Sequence, residues 1–426
     1  MENLVMTLGA SPIRGILDRA LAGDEIDEID AEHLCRARGA DLLSLAAAAD
    51  ELRRRQAGDT VTYVVNRNIN FTNVCIKHCS FCAFSRDHRQ EEGYLLPLEE
   101  IVRRAREAFE LGASEVCIQA GLPPKLDGWY YVDLVRALKK ELPGLHLHAF
   151  SPEEILYGAT RAGVGIRAYL EALRDAGHDT IPGTSAEILD DDVRAIISKG
   201  RITTSQWIEV ITTAHELGLR TTSTIMFGHV ESYRHWTGHL GLLRDIQKKT
   251  GGFTEFVPLS LIHEESPMHK KGLVPGARPG ATGAEVVAMH AVARIMLGAT
   301  FKNIQASWVK EGPKLAQLLL AAGANDLGGT LMNESISTSA GAAFGQLVPP
   351  RELRRIIRDA GRVPAERTST YAIRRTFGAE EDDEMSPLDR IEDPEARFGS
   401  YRKLTLAPEF RYSPAFPTRD EPSRAP

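Results

Sequence analysis

Residues 66–86 read NRNINFTNVCIKHCSFCAFSR, and the run before them, 61–65, is a short block of β-forming residues. Cys75, Cys79 and Cys82 therefore form C-x3-C-x2-C on a loop directly after a strand. From Thr60 onward, short β-like runs alternate with helical patterns. The strand candidates are 61–65, 115–119, 145–150, 178–182, 220–226, 253–258, 302–307 and 326–329. Helical patterns fill 98–111, 131–140, 205–217 and 283–297 between them. Such alternation implies a parallel sheet, and eight strands predict an α/β fold of the (β/α)8, TIM-barrel type. A doubly wound sheet is the alternative, but no GxGxxG turn follows any strand.

Working outward, residues 1–59 read as a helical extension. Ser11-Pro12 opens one helix, Gly23 closes it, Asp30 is a candidate cap for a second, and a longer one covers 40–55. The barrel is expected over 60–348, with a helix packing on it within 349–378. Residues 379–426 are rich in Asp, Glu, Arg and Pro, so a disordered tail is expected there. The chain has 426 residues, 43% hydrophobic and 26% charged, enough to bury a large core. A formal charge of −7 lacks the basic footprint that nucleic acid requires. No apolar run is long enough for a membrane span, and no signal peptide is visible, so a cytoplasmic location is expected. There, five cysteines point to metal or redox chemistry rather than disulfides.

Three thiolates on one short loop can each bind a different iron of a 4Fe-4S cubane, leaving the fourth iron open. Zinc would want four ligands, with His78 or His88 as the fourth, giving a non-catalytic zinc-binding barrel as the reading from another class. A ferredoxin would use four cysteines, and Cys35 and Cys117 are isolated. The loop's position favours the open cubane, because barrel chemistry sits on the loops after strand C-termini. An open iron can be chelated by the amino and carboxylate groups of S-adenosyl-L-methionine (SAM). Reductive cleavage of that sulfonium yields a 5′-deoxyadenosyl radical, from which water must be kept away. Phe81 is placed to shield the cluster.

The cysteine loop with its preceding Asn66 to Asn73 resembles the radical SAM subunit of FO synthase, the CofH family of 5-amino-6-(D-ribitylamino)uracil–L-tyrosine 4-hydroxyphenyl transferases. PGTSAEIL at 182–189, TTSTIMFGHVE at 221–231, GFTEFVP at 252–258, NIQASWVK at 303–310, GAND at 323–326 and MNE at 332–334 are similar too. The likeness spans about residues 11–375. It implies that the radical acts on the amine of L-tyrosine, that the Cα–Cβ bond breaks, and that the 4-hydroxybenzyl fragment adds to 5-amino-6-(D-ribitylamino)uracil. It also implies an external reductant and a separate radical SAM partner, CofG, that closes the ring to FO, the core of coenzyme F-420. Aminofutalosine synthase and dehypoxanthine futalosine cyclase, from a menaquinone pathway, share the cysteine spacing and are the sibling alternatives.

Several other residues are candidates for the site. The resemblance implies that Gln119 and Gly121, at the end of the second strand, offer SAM's amino group a backbone edge. Glu187 could bind the SAM ribose or amine, and Arg194, two helical turns on, the SAM carboxylate. For both, the bland reading is a helix start. His229, Glu231, His263, His148, Glu153, Asn333 and Glu334 fall near strand C-termini, as substrate-site candidates or as hydrogen-bonded structural residues. His146 and His148 share one face of a strand.

Overall fold

The computed structural model describes residues 11–378 and 385–413. Among the described residues ten strands carry the fold: β1 (Thr60–Val64), β2 (Asn66–Ile69), β3 (Glu115–Ile118), β4 (His146–Ala149), β5 (Thr180–Ile181), β6 (Arg220–Phe227), β7 (Phe253–Ser260), β8 (Asp326–Gly329), β9 (Val363–Arg367) and β10 (Ile373–Thr376). Strands β2 to β7 form one parallel sheet in chain order. Isolated bridges carry it round: Phe256 pairs with Ile304, Gln305 with Asp326, and Arg67 with Met332. β8 pairs in parallel with β1, so the staves return to the strand where they started. Right-handed parallel units with helices outside are the expected way to bury such a sheet.

The fourth stave is only two residues long, and the seventh survives only as bridges at Ile304 and Gln305. The stretch before the cysteines adds a strand that the sequence did not announce: β2 continues β1 after a break at Val65 and changes sheet. Residues 349–378 hold more than the expected helix. After Pro350–Asp359 the chain adds β9, parallel to β1, and β10, antiparallel to β9.

Helices Arg14–Ala22, Glu28–Cys35 and Ala40–Ala57 form the N-terminal extension. Asp27, not Asp30, caps the second, its side chain accepting from Asp30 N. The last two pack on the barrel helix Gly283–Leu297.

The expected disorder of the tail does not hold for residues 385–413. Pro394–Phe398 and Tyr401–Leu406 are helical, and Leu388, Phe398, Leu404 and Tyr412 are buried. A segment too polar to build its own core can still order itself by setting single apolar side chains into an existing one. Residues 379–384 and 414–426 of that expectation, and 1–10 of the N-terminal extension, lie outside the described residues.

Strand periodicity gives the barrel an unusual lining. Alternate residues Asn66 and Asn68, Glu115, Cys117 and Gln119, Thr222 and Thr224, and Glu255 and Val257 face one interior cavity with His148. Barrels of this class usually fill that space with Val, Ile and Leu. Here polar side chains leave a space of about 230 Å³. Arg367 of β9 closes its floor, pairing with Asp326 at 2.5 and 3.0 Å and lying over the Tyr371 ring.

Candidate functional site

The cysteine loop is held by backbone bonds on all sides. Thr72 Oγ1 donates to Tyr94 O, while Asn73 accepts from Tyr94 N and donates to Glu92 O. Cys75 N donates to Arg86 O, Ile76 N to Leu122 O, and Ser80 N to Ile197 O. Gly121 explains one of these approaches: a Cβ there would sit 2.3 Å from Val74 O, so only glycine lets the strand end meet the loop.

Cys75, Cys79 and Cys82 line a cleft of about 240 Å³ at the strand C-termini, with Phe81 beside them. Burial pushes the Cys79 thiol up to about 12 and raises Cys75 as well. Among the described residues no group of three His, Cys, Asp or Glu side chains is set to hold one metal ion. A closed zinc site needs such convergence. A cubane needs one thiolate per iron, so the donor set fits a three-cysteine cluster.

Two walls of the cleft carry charge. Arg201 donates to Glu187 Oε1 at 2.5 Å, to Ser185 Oγ at 2.6 Å and to Glu153 Oε2 at 3.2 Å. Lys77 pairs with Glu153 at 3.3 Å. Burial works against the Arg201 cation, but Cys79, Glu187 and Glu153 outweigh it and hold its pKa well above the ordinary value. Glu154 accepts from Ala120 N and Ser151 N, yet burial still pushes it up to about 7. Ser185 and Glu187 have φ of 64° and 41°, and Phe150 after β4 has φ of 59°. Left-handed conformations at non-glycine residues cost energy and gather where a site must be shaped.

Of the residues singled out from sequence, the three cysteines, Gln119, Gly121, Glu187 and Glu153 meet in this cleft. Gln119 accepts from Thr184 Oγ1 and reaches the interior cavity as well. Arg194 lies outside the cleft. Its buried guanidinium donates to the carbonyls of Ser185, Ala186 and Ile202, clamping the loop that shapes the site. The spacing argument failed because Glu187 is not helical: the helix begins at Asp191, four residues later.

His229 and Glu231 also lie elsewhere. The His229 ring is bonded to Met226 O and Val230 N, and burial lowers its pKa. Glu231 accepts from Gly228 N, His229 N, Trp236 Nε1 and Arg278. Asn333 donates to Gln346 and to Gly399 O, fastening the C-terminal segment. His263 is partly exposed and packs edge-on against His269, outside both cavities.

His148 faces the interior cavity, where Thr180 Oγ1 is bonded to both His146 and His148. Glu334 reaches the same cavity with its carboxylate held by the amides of Ile336, Ser337 and Thr338. Sequence reasoning missed Arg201 and Lys310. Lys310 sits at the end of the NIQASWVK stretch, where burial lowers its pKa against Glu334, Glu311 and Cys82. The signal available for both was chemical: a cleft meant for carboxylate ligands needs cations.

The comparisons agree with this arrangement. A radical SAM superfamily model matches residues 69–243, and a CofH/MqnC C-terminal region model matches 250–379. The chain is 49% identical to the 5-amino-6-(D-ribitylamino)uracil–L-tyrosine 4-hydroxyphenyl transferase of Methanothermobacter thermautotrophicus, over 84% of this chain and 96% of that one. It is 52% identical to the FO synthase of Mycobacterium leprae over 84% of this chain, and spans only 41% of that longer protein. Among solved structures, methylornithine synthase (PylB) superposes with a TM-score of 0.65 at 20% identity, covering 82% of this chain and 97% of that one. The hydrogenase maturase HydG of Carboxydothermus hydrogenoformans gives 0.66 at 17%, covering 87% and 83%. These two share the fold. No helix among the described residues is long and apolar enough to cross a membrane. The chain thus belongs to the radical SAM superfamily, whose members bind a 4Fe-4S cluster and SAM, and within it to the family of 5-amino-6-(D-ribitylamino)uracil–L-tyrosine 4-hydroxyphenyl transferases.

Proposed function

We propose that this chain joins the 4-hydroxybenzyl group of L-tyrosine to 5-amino-6-(D-ribitylamino)uracil, in the assembly of FO for coenzyme F-420. The observation that carries the reading is near-complete coverage, at about half identity, of a protein named for that transfer. Cys75, Cys79 and Cys82 would hold the 4Fe-4S cluster and leave one iron free for SAM. When bound, cluster and SAM together supply the 5′-deoxyadenosyl radical.

The chain's own residues bind and shield. Arg201 would take the SAM carboxylate in the role first expected of Arg194, and Glu187 and Glu153 fix its guanidinium. The backbone edge at 119–121 would meet the SAM amine. Phe81 and Leu261 keep water from the cleft. The interior cavity, with Asn68, Glu115, His148, Glu255 and Gln305, offers donors and acceptors suited to a polar heterocycle with a polyol chain. The CofG-type radical SAM partner that the resemblance implies closes the ring, and an external reductant supplies the electron; the chain spans about two fifths of the FO synthases it matches.

Anaerobic reconstitution tests the reading. Reduced enzyme with SAM, tyrosine and the ribitylaminouracil should yield 5′-deoxyadenosine and the coupled product in step. Turnover of a futalosine-type substrate instead would assign the chain to the menaquinone siblings. Stoichiometric zinc without iron after anaerobic purification would end the radical reading.

A further inference from the structure

The cysteine cleft and the interior cavity are lined by separate sets of residues that overlap at five positions: Gln119, Thr184, Leu259, Lys310 and Ile336. The junction is where a molecule must sit if one end meets the radical source and the other reaches the barrel interior. Lys310 is the charged residue among the five. It stands in the first turn of the helix Trp308–Leu319, after the seventh stave. Arg201 follows the fourth stave, so β6 and β7 separate the two walls in the sheet.

The cations of the two cavities differ in one respect. Arg201 and Lys77 are paired with carboxylates, and Arg367 with Asp326. Lys310 is half-buried and has no ion pair or side-chain hydrogen bond among the described residues. The carboxylate that acts on it most, Glu334, is held by three backbone amides. An ammonium taken out of water without an anion is costly, and a ligand carboxylate relieves that cost.

We propose that Lys310 binds the α-carboxylate of L-tyrosine, holding the amino-acid head at the junction with its amine toward the cysteine cleft and its phenol toward the interior. The assignment rests on the transferase reading above. Three molecules are to be bound, and charge separates them. SAM brings a carboxylate, for which Arg201 is already in place. The ribitylaminouracil carries no carboxylate. Tyrosine brings the remaining one, and Lys310 is the cation left for it. The same junction sets Leu259 and Ile336 beside the head, so the aromatic ring has apolar contacts on its way inward.

The test pairs a variant with a substrate analogue. Binding of L-tyrosine and of tyramine, which lacks the carboxylate, is measured by calorimetry on cluster-loaded, SAM-bound wild type, K310M and K310R. In wild type tyrosine should bind about 10- to 100-fold more tightly than tyramine, the range of a charge-assisted hydrogen bond. K310M should erase that preference by weakening tyrosine alone, and K310R should restore part of it. Turnover should show the loss in KM for tyrosine, with KM for SAM unchanged. If K310M keeps the preference, or shifts the cluster's reduction potential and SAM affinity instead, Lys310 serves the cluster and the assignment is wrong. If wild type fails to convert tyrosine at all, the transferase reading itself has failed, which the wild-type arm reports separately.

Discussion

The cysteine loop and the C-terminal segment that backs it are in contact, yet they are built in opposite ways. Residues 75–82 carry their chemistry in their own order, three thiols at fixed spacing on a loop pinned by its own Thr72 and Asn73. Residues 394–412 carry no motif and form no core of their own. They are fixed by what they touch: Tyr401 donates to Phe84 O at 2.9 Å, Leu95 N donates to Phe410 O, and Tyr412 N donates to Gly93 O. The chemical centre is thus local in sequence, and its enclosure is distant from it by some 320 residues. Substitutions in the first region should remove function outright, and those in the second should make it fragile.

The largest effects belong to the loop. Cys75→Ser, Cys79→Ser and Cys82→Ser should each abolish SAM cleavage and deplete iron, measured by iron and sulfide content with electron paramagnetic resonance. Cys35→Ala and Cys117→Ala should keep the cluster, since Cys35 is fully buried among apolar side chains and Cys117 faces the interior cavity. Loss of iron in the Cys117 variant would show that the ligand set is wrong.

The next comparison sets two arginines against each other. Arg201→Met should leave a folded protein with SAM binding weakened by a hundred-fold or more, on the order of 3 kcal/mol for a charge-assisted pair. Arg194→Met should act on stability instead. It strips donors from the carbonyls of Ser185, Ala186 and Ile202, each costing about 1–3 kcal/mol when left unsatisfied. Thermal melting and SAM titration on both variants separate the roles. Equal SAM loss with equal melting temperatures would collapse the distinction.

These pairs show how far the sequence could be read. The alternation after Thr60 predicts the barrel because each helix and strand is a local pattern, and the C-x3-C-x2-C loop is legible for the same reason. His229, Glu231 and Asn333 share strand-end positions with Glu187, but position does not say which way a side chain turns. His229 and Glu231 turn into their own loop to satisfy backbone groups, and Asn333 turns to the Gly399 carbonyl of the C-terminal segment. Arg201 was hidden because it reaches Glu187 across 14 residues from a turn with no periodicity of its own. The ordering of 385–413 was hidden because composition measures what a segment can bury alone. Strand β2 was hidden inside the motif, where asparagines that face a polar cavity do not look like a strand.

A smaller effect follows from the polar interior. His148 lines the interior cavity, and desolvation there brings its pKa down to about 4, from about 6.5 in an unfolded chain. The unfolded state therefore takes up the proton first on acidification. Stability present above pH 6.5 is lost as pH falls toward 4, by up to about 1.4 kcal/mol per unit from this residue. Glu154, pushed up to about 7, and Glu255, also raised by burial, act with the opposite sign, so the wild-type curve alone does not isolate the histidine. His148→Gln can keep the bond to Thr180 and removes the titration. Its denaturation midpoint should fall less than that of wild type between pH 6.5 and 4, and parallel curves would show that His148 takes up its proton as readily in the fold as in the unfolded chain.

The smallest effect, and the one that bears most directly on the two regions, concerns Tyr401. Its hydroxyl accepts from Asn73 Nδ2 at 3.3 Å and donates to Phe84 O, and its ring lies 5.3 Å from that of Phe84. Tyr401→Phe removes two hydrogen bonds at a half-buried site, about 1–2 kcal/mol, and Tyr401→Ala removes the ring contact as well. Neither change touches a thiol, so the cluster should still assemble and SAM cleavage should start at the wild-type rate. What should change is persistence. If residues 394–412 hold the back of the cysteine loop closed, iron should be lost to a chelator or to air several-fold faster in Tyr401→Ala than in wild type, with Tyr401→Phe between them. Unchanged loss rates, alongside a lowered melting temperature, would mean that the segment stabilises the barrel without guarding the loop.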